Sequence, residues 1–216
     1  MAKELHVLTR ARLAAGDSPA KALVKAFELV DNAVCSAGLA EYCGATSVAA
    51  LVGRTPSGGR CIHAANAGDA RCVLVLFGPP LQCEPLSFDH LPSVASESER
   101  ILAAGGTIAR GRVMGVLAVS RAIGDERLKP YVSACPDSSN STLDVDQRAC
   151  LLLFCDGVSN VMTDVDVTRH VAATLRQLTA QGLKGDSVAD GVAASLVQES
   201  LLRGSRDNVT AMAVLL

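Results

Sequence analysis

The sequence predicts a single α+β domain spanning residues 1–216, and three observations carry that expectation. Segments with strand character and segments with helix character come in blocks rather than in strict alternation, which favours α+β layers over a doubly wound parallel sheet. Of the 216 residues, 49% are hydrophobic and 19% charged, a globular balance in a chain long enough to bury a core without staples. Aromatic residues make up only 3% and Trp is absent, so that core is aliphatic, built from Ala, Val and Leu.

The elements follow in order. Asp17-Ser18-Pro19 opens a helix, with Ser18 as N-cap and Pro19 in the first turn. Leu23, Phe27, Val30 and Val34 share one face of it, and Gly38 closes it. An apolar strand over 45–52 leads into the turn Pro56-Ser57-Gly58-Gly59. Runs 60–66 and 71–77 read as a hairpin around Ala67-Gly68-Asp69-Ala70. A helix then carries Ser96-x-x-Glu99, which resembles a capping box, and Gly105-Gly106 stops it. Residues 107–125 are mixed with short strand signals, and 138–142 read as an exposed loop. The apolar run 150–155 is a buried strand ending in Asp156-Gly157. Two helices follow, capped by Thr163-x-x-Asp166 and Ser187-x-x-Asp190. Val167, Val171, Leu175 and Leu178 face inward on the first, and Val188, Val192 and Leu196 on the second. The run from Val209 to Leu216 is a closing strand, and no internal repeat is present.

Composition excludes several function classes. A net charge of -2 with scattered Lys and Arg gives no footprint for nucleic acid, and few aromatics are available for base stacking. No apolar run is long enough to span a bilayer, and Met1 to His6 does not read as a signal peptide. The eight cysteines contain no Cys-x-x-Cys pair, and Cys61, Cys72, Cys150 and Cys155 lie in apolar runs. They read as reduced small hydrophobes of a cytoplasmic or nuclear protein. His6, His63, His90 and His170 show no metal-ligand spacing; His63 reads as a satisfied strand residue and His90 as bonding backbone at a turn.

The chemistry concentrates in acidic residues at strand ends. Asp156 follows one buried strand and Asp207, in Ser205-Arg206-Asp207-Asn208, precedes another. Two carboxylates delivered to one sheet rim suit a hard divalent cation better than a soft one. Asp69, read from the sequence alone, shapes its turn. Arg206 is expected to pair with nearby acidic groups, and Arg121 and Asp125 to organise a loop.

Four segments stand in order along the chain: Asn66-Ala67-Gly68-Asp69-Ala70-Arg71, Leu117-Ala118-Val119-Ser120-Arg121-Ala122-Ile123-Gly124-Asp125, Asp156-Gly157-Val158-Ser159-Asn160 and Ser205-Arg206-Asp207-Asn208. With the stretch from Leu86 to Gly106, they resemble the metal-dependent protein phosphatase family of the PP2C type. The resemblance implies a sandwich of two antiparallel sheets flanked by helix pairs. It implies hydrolysis of phosphoserine or phosphothreonine by a water bound to Mn²⁺ or Mg²⁺, with no side-chain nucleophile and a phosphoprotein substrate or protein partner. By the same resemblance Asp156 and Asp207 are primary metal ligands, Asp69 belongs to a peripheral metal position, and Asn160 and Asp125 are weak or supporting groups.

Two departures from the family pattern shape the expectation. No segment between Met1 and Gly44 matches the family's Asp-Gly-His-Gly-Gly, whose Asp bridges both metals, so the domain is expected to be incomplete at its N-terminal side. Asn160 stands where the family commonly carries a carboxylate, which is expected to weaken the peripheral metal site specifically. The alternative expectation is a pseudophosphatase acting as a binding or regulatory module.

Overall fold

The computed structural model describes residues 2–216, with side chains from residue 4 onward. Its elements run α1 (Ala2–Ala14), α2 (Pro19–Ser36), β1 (Gly44–Ala45), β2 (Ser47–Arg54), β3 (Arg60–Ala67), β4 (Arg71–Phe77), β5 (Gln82–Pro85), α3 (Ala95–Ala103), β6 (Ile108–Ala109), β7 (Arg112–Val113), β8 (Ile123–Gly124), β9 (Asp137–Leu143), β10 (Arg148–Phe154), α4 (Asp156–Ser159), α5 (Asp164–Ala180), α6 (Asp186–Leu202) and β11 (Ala211–Leu215). Mixed helices and antiparallel sheets make this an α+β fold. The chain forms two compact units, and β2, β3 and β9 contribute residues to both.

The first unit comprises the residues through Leu51, His63–Asp69 and Phe88–Asn140. Here α2 buries Leu23, Phe27 and Val30 with Ala65, Ala67 and Ile123, the face its heptad-like spacing predicts. Pro19 sits at the start of α2 and Ser18 at its N-cap, although the Ser18 hydroxyl makes no capping bond. α1 was not foreseen, and its sequence explains why. Polar residues interrupt its apolar positions, so it lacks a clean stripe, yet Leu5 and Leu8 still reach the α2 cluster. A second cluster gathers Ile101 of α3 with Val113, Ala122 and Val132.

The second unit comprises Val52–Ile62, Ala70–Ser87 and Ser141–Leu216. Its four-stranded antiparallel sheet has the order β11-β10-β4-β5, and α5 and α6 cover it. Val73, Val75, Cys150, Leu152 and Phe154 of the sheet meet Val167, Val171, Val188, Val192 and Leu196 of the helices in one aliphatic core. Burial pushes the Cys72 and Cys150 thiols up to about 12, so these cysteines act as apolar filling.

Four sequence expectations need correction. β3 and β4 are not a hairpin: β3 belongs to the three-stranded sheet β2-β3-β9, and β4 lies between β10 and β5. The turn that pairs neighbouring strands is Thr55–Gly59, joining β2 to β3, where Thr55 N–H donates to the Gly59 carbonyl at 3.0 Å. Residues 138–142 are strand rather than loop, inside β9. Ser96 does not cap α3, whose N-cap is Val94 without a side-chain bond. Ser187 does not cap α6 either: the helix starts one residue earlier, behind Gly185. At α5 the capping box is complete, with the Asp166 N–H donating to Thr163 Oγ1 and the Thr163 N–H to the Asp166 carboxylate, at 3.2 and 3.0 Å.

Candidate metal centre

β10 and β11 run antiparallel with Phe154 opposite Ala211, so the chain leaving β10 and the chain entering β11 meet at the same sheet end. Hydrogen bonds extend that pairing beyond the strands. Cys155 N–H donates to the Thr210 carbonyl at 3.1 Å, and Thr210 N–H donates to Cys155 Sγ at 3.2 Å. Ser205 Oγ donates to the Gly157 carbonyl at 2.7 Å. A β-carbon at Gly157 would overlap the Asn208 carbonyl oxygen, so glycine is what lets the two segments touch.

This seam carries Asp156 on one side and Asp207 on the other. Asp156 is half-buried at the first position of α4, and Asn160 Nδ2 donates to its Oδ2 at 3.3 Å. Asp207 is exposed, and its Oδ1 accepts the Asn208 N–H at 2.7 Å. Asn160 therefore already occupies part of the Asp156 acceptor capacity as a neutral donor. Arg206 is exposed and has no ion pair among the described residues, so its expected acidic partner is absent. Arg71, opposite Phe154 at this sheet end, is ion-paired: its Nη1 donates to Asp164 Oδ1 at 2.9 Å, tying β4 to the start of α5.

Asp69 and Asp125 lie in the first unit. The Gly68–Asp69 turn is held from several directions. Gly68 has φ +121°, and a β-carbon there would overlap the Thr46 side chain. Asn66 Nδ2 donates to the Gly68 carbonyl at 2.9 Å and to the Phe88 carbonyl at 3.1 Å. His90 stands 3.1 Å from Gly68 through Nδ1 and 3.1 Å from Asp137 through Nε2. A neutral imidazole donating from Nε2 to Asp137 and accepting the Gly68 N–H at Nδ1 satisfies both contacts. His90 thus bonds backbone as expected, whereas the buried Nδ1 of His63 has no hydrogen-bond partner.

Asp125 is buried in a left-handed conformation, φ +49°, with the Gly44 Cα against its carboxylate. Burial raises its pKa, and Lys129 opposes that shift. Sequence reasoning missed two acidic groups that organise this unit. Asp31 accepts the Gly124 N–H at 2.7 Å and Lys129 Nζ at 3.0 Å. Glu97, only 2% exposed, receives Arg100, Ser120 and Arg121. The available signal for Glu97 was its position three residues before Arg100 on a short helix.

Among the described residues no three His, Cys, Asp or Glu side chains converge as a metal cage. The oxygen groups gathered at this seam are two carboxylates on adjoining segments and the Asn160 amide, which donates to one of them. Such a set does not fit a complete two-ion centre.

The family model for protein phosphatase 2C matches residues 1–209. This chain belongs to the protein phosphatase 2C family. It is 37% identical over 207 residues to probable protein phosphatase 2C 8 of Oryza sativa subsp. japonica, covering 90% of this chain and 48% of that protein. To protein phosphatase 2C 77 of Arabidopsis thaliana it is 37% identical over 212 residues, covering 90% and 48%. The chain therefore spans about half the length of these relatives. Among solved structures, a sex-determining protein of C. elegans superposes with a TM-score of 0.79 at 24% identity, over 98% of this chain and 50% of that one. The serine-threonine phosphatase 2C of Toxoplasma gondii gives 0.70 at 24% identity, over 90% and 66%. These two likenesses establish the protein phosphatase 2C-like fold. No helix among the described residues is long and apolar enough to cross a membrane.

Proposed function

We propose that residues 1–216 act as one phosphatase 2C-like domain, which supplies Asp156 and Asp207 to a divalent-metal site for phosphoserine and phosphothreonine hydrolysis. The observation that carries this reading is the hydrogen-bonded seam between residues 155–157 and 205–210, which holds both carboxylates at one sheet end. Oxygen-only ligands, at the start of α4 and in the segment leading to β11, favour Mn²⁺ or Mg²⁺. A single hydrated ion held there would supply Lewis-acid chemistry toward a bound water. The chain's own contribution is to fix the two carboxylates, with Asn160 orienting Asp156 through its amide. Asp69 and Asp125 are proposed as a peripheral ligand and a supporting group, each held by the contacts of its own turn. The partner class is a phosphoprotein, in keeping with the phosphatase names of the relatives.

Asn160 favours a second reading, a non-catalytic binding module, because a neutral donor replaces a ligand carboxylate beside Asp156. One experiment separates the two. The purified chain is titrated with Mn²⁺ by calorimetry and assayed with p-nitrophenyl phosphate. Mn²⁺-dependent turnover that Asp156→Ala and Asp207→Ala abolish supports the phosphatase. A folded protein that shows no turnover at saturating Mn²⁺ supports the binding module and overturns the catalytic reading for this chain.

A further inference from the structure

At the end of the second unit's sheet opposite Asp156, the helix layer and the sheet part to leave a groove with two lobes. Both lobes share Phe77, Arg148, Leu175 and Thr179, so they form one continuous surface. The first lobe, a cavity of about 220 Å³, adds Leu183 and Lys184. The second, about 320 Å³, adds Leu81 and Arg176. Arg148 begins β10, and Asp156 lies eight residues further on, roughly 25 Å at the usual strand rise. The groove is therefore remote from the Asp156–Asp207 seam.

Its chemistry is consistent along its length. The floor is aliphatic and aromatic, and no Asp or Glu lines either lobe. Three cations rim it in a chain whose overall net charge is -2. Among the described residues Arg148 and Lys184 have no ion-pair partner, and Arg176 commits only its Nε, to the Ala172 carbonyl at 3.1 Å. Each lobe has the size of one or two large apolar side chains, and the cation common to both, Arg148, stands where they join.

We propose that this groove docks an acidic peptide segment of a partner protein, with one apolar side chain in each lobe and carboxylates between them facing Arg148, Arg176 and Lys184. Charge complementarity selects the occupant: apolar anchors supply burial, and the unpaired cations select against neutral or basic segments. A docking site remote from the carboxylate seam would bind a partner whether or not the seam holds metal.

The test is fluorescence anisotropy with a fluorescein-labelled peptide, Ser-Leu-Asp-Glu-Asp-Leu-Ser, titrated with the full chain in metal-free, low-salt buffer. Saturable binding is expected. It should weaken at least tenfold for Arg148→Glu and for Lys184→Glu, both exposed positions, and for a peptide with both Leu replaced by Ala. Asp156→Ala should leave it unchanged, which separates this site from the metal reading. Failure to saturate, or binding indifferent to both charge reversals in proteins with native circular dichroism, overturns the proposal. Charge-dependent binding of decanoate without binding of the peptide would overturn it too, and would assign the groove to a small acyl anion.

Discussion

Arg121 donates to one oxygen of the Glu97 carboxylate from both Nε and Nη2, at 3.0 and 2.6 Å. Ser120 Oγ and Arg100 Nη2 take the other oxygen at 2.7 and 2.9 Å. Arg121 then reaches on to the Asp137 carboxylate at 2.6 Å, and Asp137 to His90 at 3.1 Å. A buried carboxylate saturated in this way links α3 to the loop before β8 and to the start of β9, and through His90 to the Gly68 turn. Arg121→Ala leaves Glu97 buried with one of its two arginine partners gone. That variant is expected to lose roughly 3–5 kcal/mol of unfolding free energy, read from urea denaturation. A loss below about 1 kcal/mol would show that the pair is not fixed as described.

The same carboxylate sets an acid dependence. Burial alone would raise the Glu97 pKa, but hydrogen bonds from Arg121, Ser120 and Arg100 outweigh it and hold the group at about 2, against an ordinary 4.5. With the folded-state pKa depressed, the unfolded chain binds the proton first as pH falls. The stabilisation is complete above the ordinary value and is lost progressively as pH drops through about 2. Its size is on the order of 3 kcal/mol. Urea midpoints measured between pH 5 and pH 2 should therefore fall less steeply for Glu97→Gln than for the parent, and parallel curves would reject the assignment.

The Asn160 amide predicts a gain from one atom's change. Replacing it with Asp removes the donor to Asp156 and adds a carboxylate beside it. Without metal, two like charges should repel and lower stability slightly. With metal, the added charge should tighten Mn²⁺ binding about tenfold, on the order of 1.4 kcal/mol. Calorimetric titration of Asn160→Asp against the parent measures it; an unchanged dissociation constant would separate Asn160 from any metal.

Gly157 is expected to be the least replaceable residue of the seam. A β-carbon must displace the Asn208 carbonyl, which belongs to backbone and cannot rotate away. Gly157→Ala should cost roughly 1–3 kcal/mol and also weaken Mn²⁺ binding, because it separates the segments bearing Asp156 and Asp207. Ser205→Ala, which removes only the hydroxyl bond to the Gly157 carbonyl, should cost about 1 kcal/mol and leave Mn²⁺ binding closer to that of the parent. Equal effects on metal binding from both changes would show that the close approach at Gly157 does not matter.

What was legible in the sequence was local or periodic. The inward faces of α2, α5 and α6 and the buried strand before Asp156 follow from spacing within a few residues, whereas the acidic segments were legible only through their resemblance to a family. Strand pairing was not legible in the same way. A short linker between 60–66 and 71–77 reads as a hairpin, yet β4 pairs with β10 and β5, partners whose complementarity no local pattern encodes. Glu97 was hidden for a related reason: its three partners lie up to 24 residues away, and a charged residue on a short helix reads as solvated.

Two caps with the same sequence pattern test how far a local motif decides structure. Thr163-x-x-Asp166 closes both reciprocal bonds at the start of α5, whereas Ser187-x-x-Asp190 falls inside α6, after Gly185 has taken the cap position. Gly185 has φ +54°, which sets the chain direction one residue before Asp186 and leaves Ser187 already helical. Thr163→Ala should therefore cost about 1 kcal/mol, the usual value for losing an N-cap. Ser187→Ala should change stability by less than about 0.5 kcal/mol, since Ala is the better helix former and no capping bond is lost. Urea midpoints of the two variants decide the matter: equal losses would place a cap at Ser187 and move the start of α6.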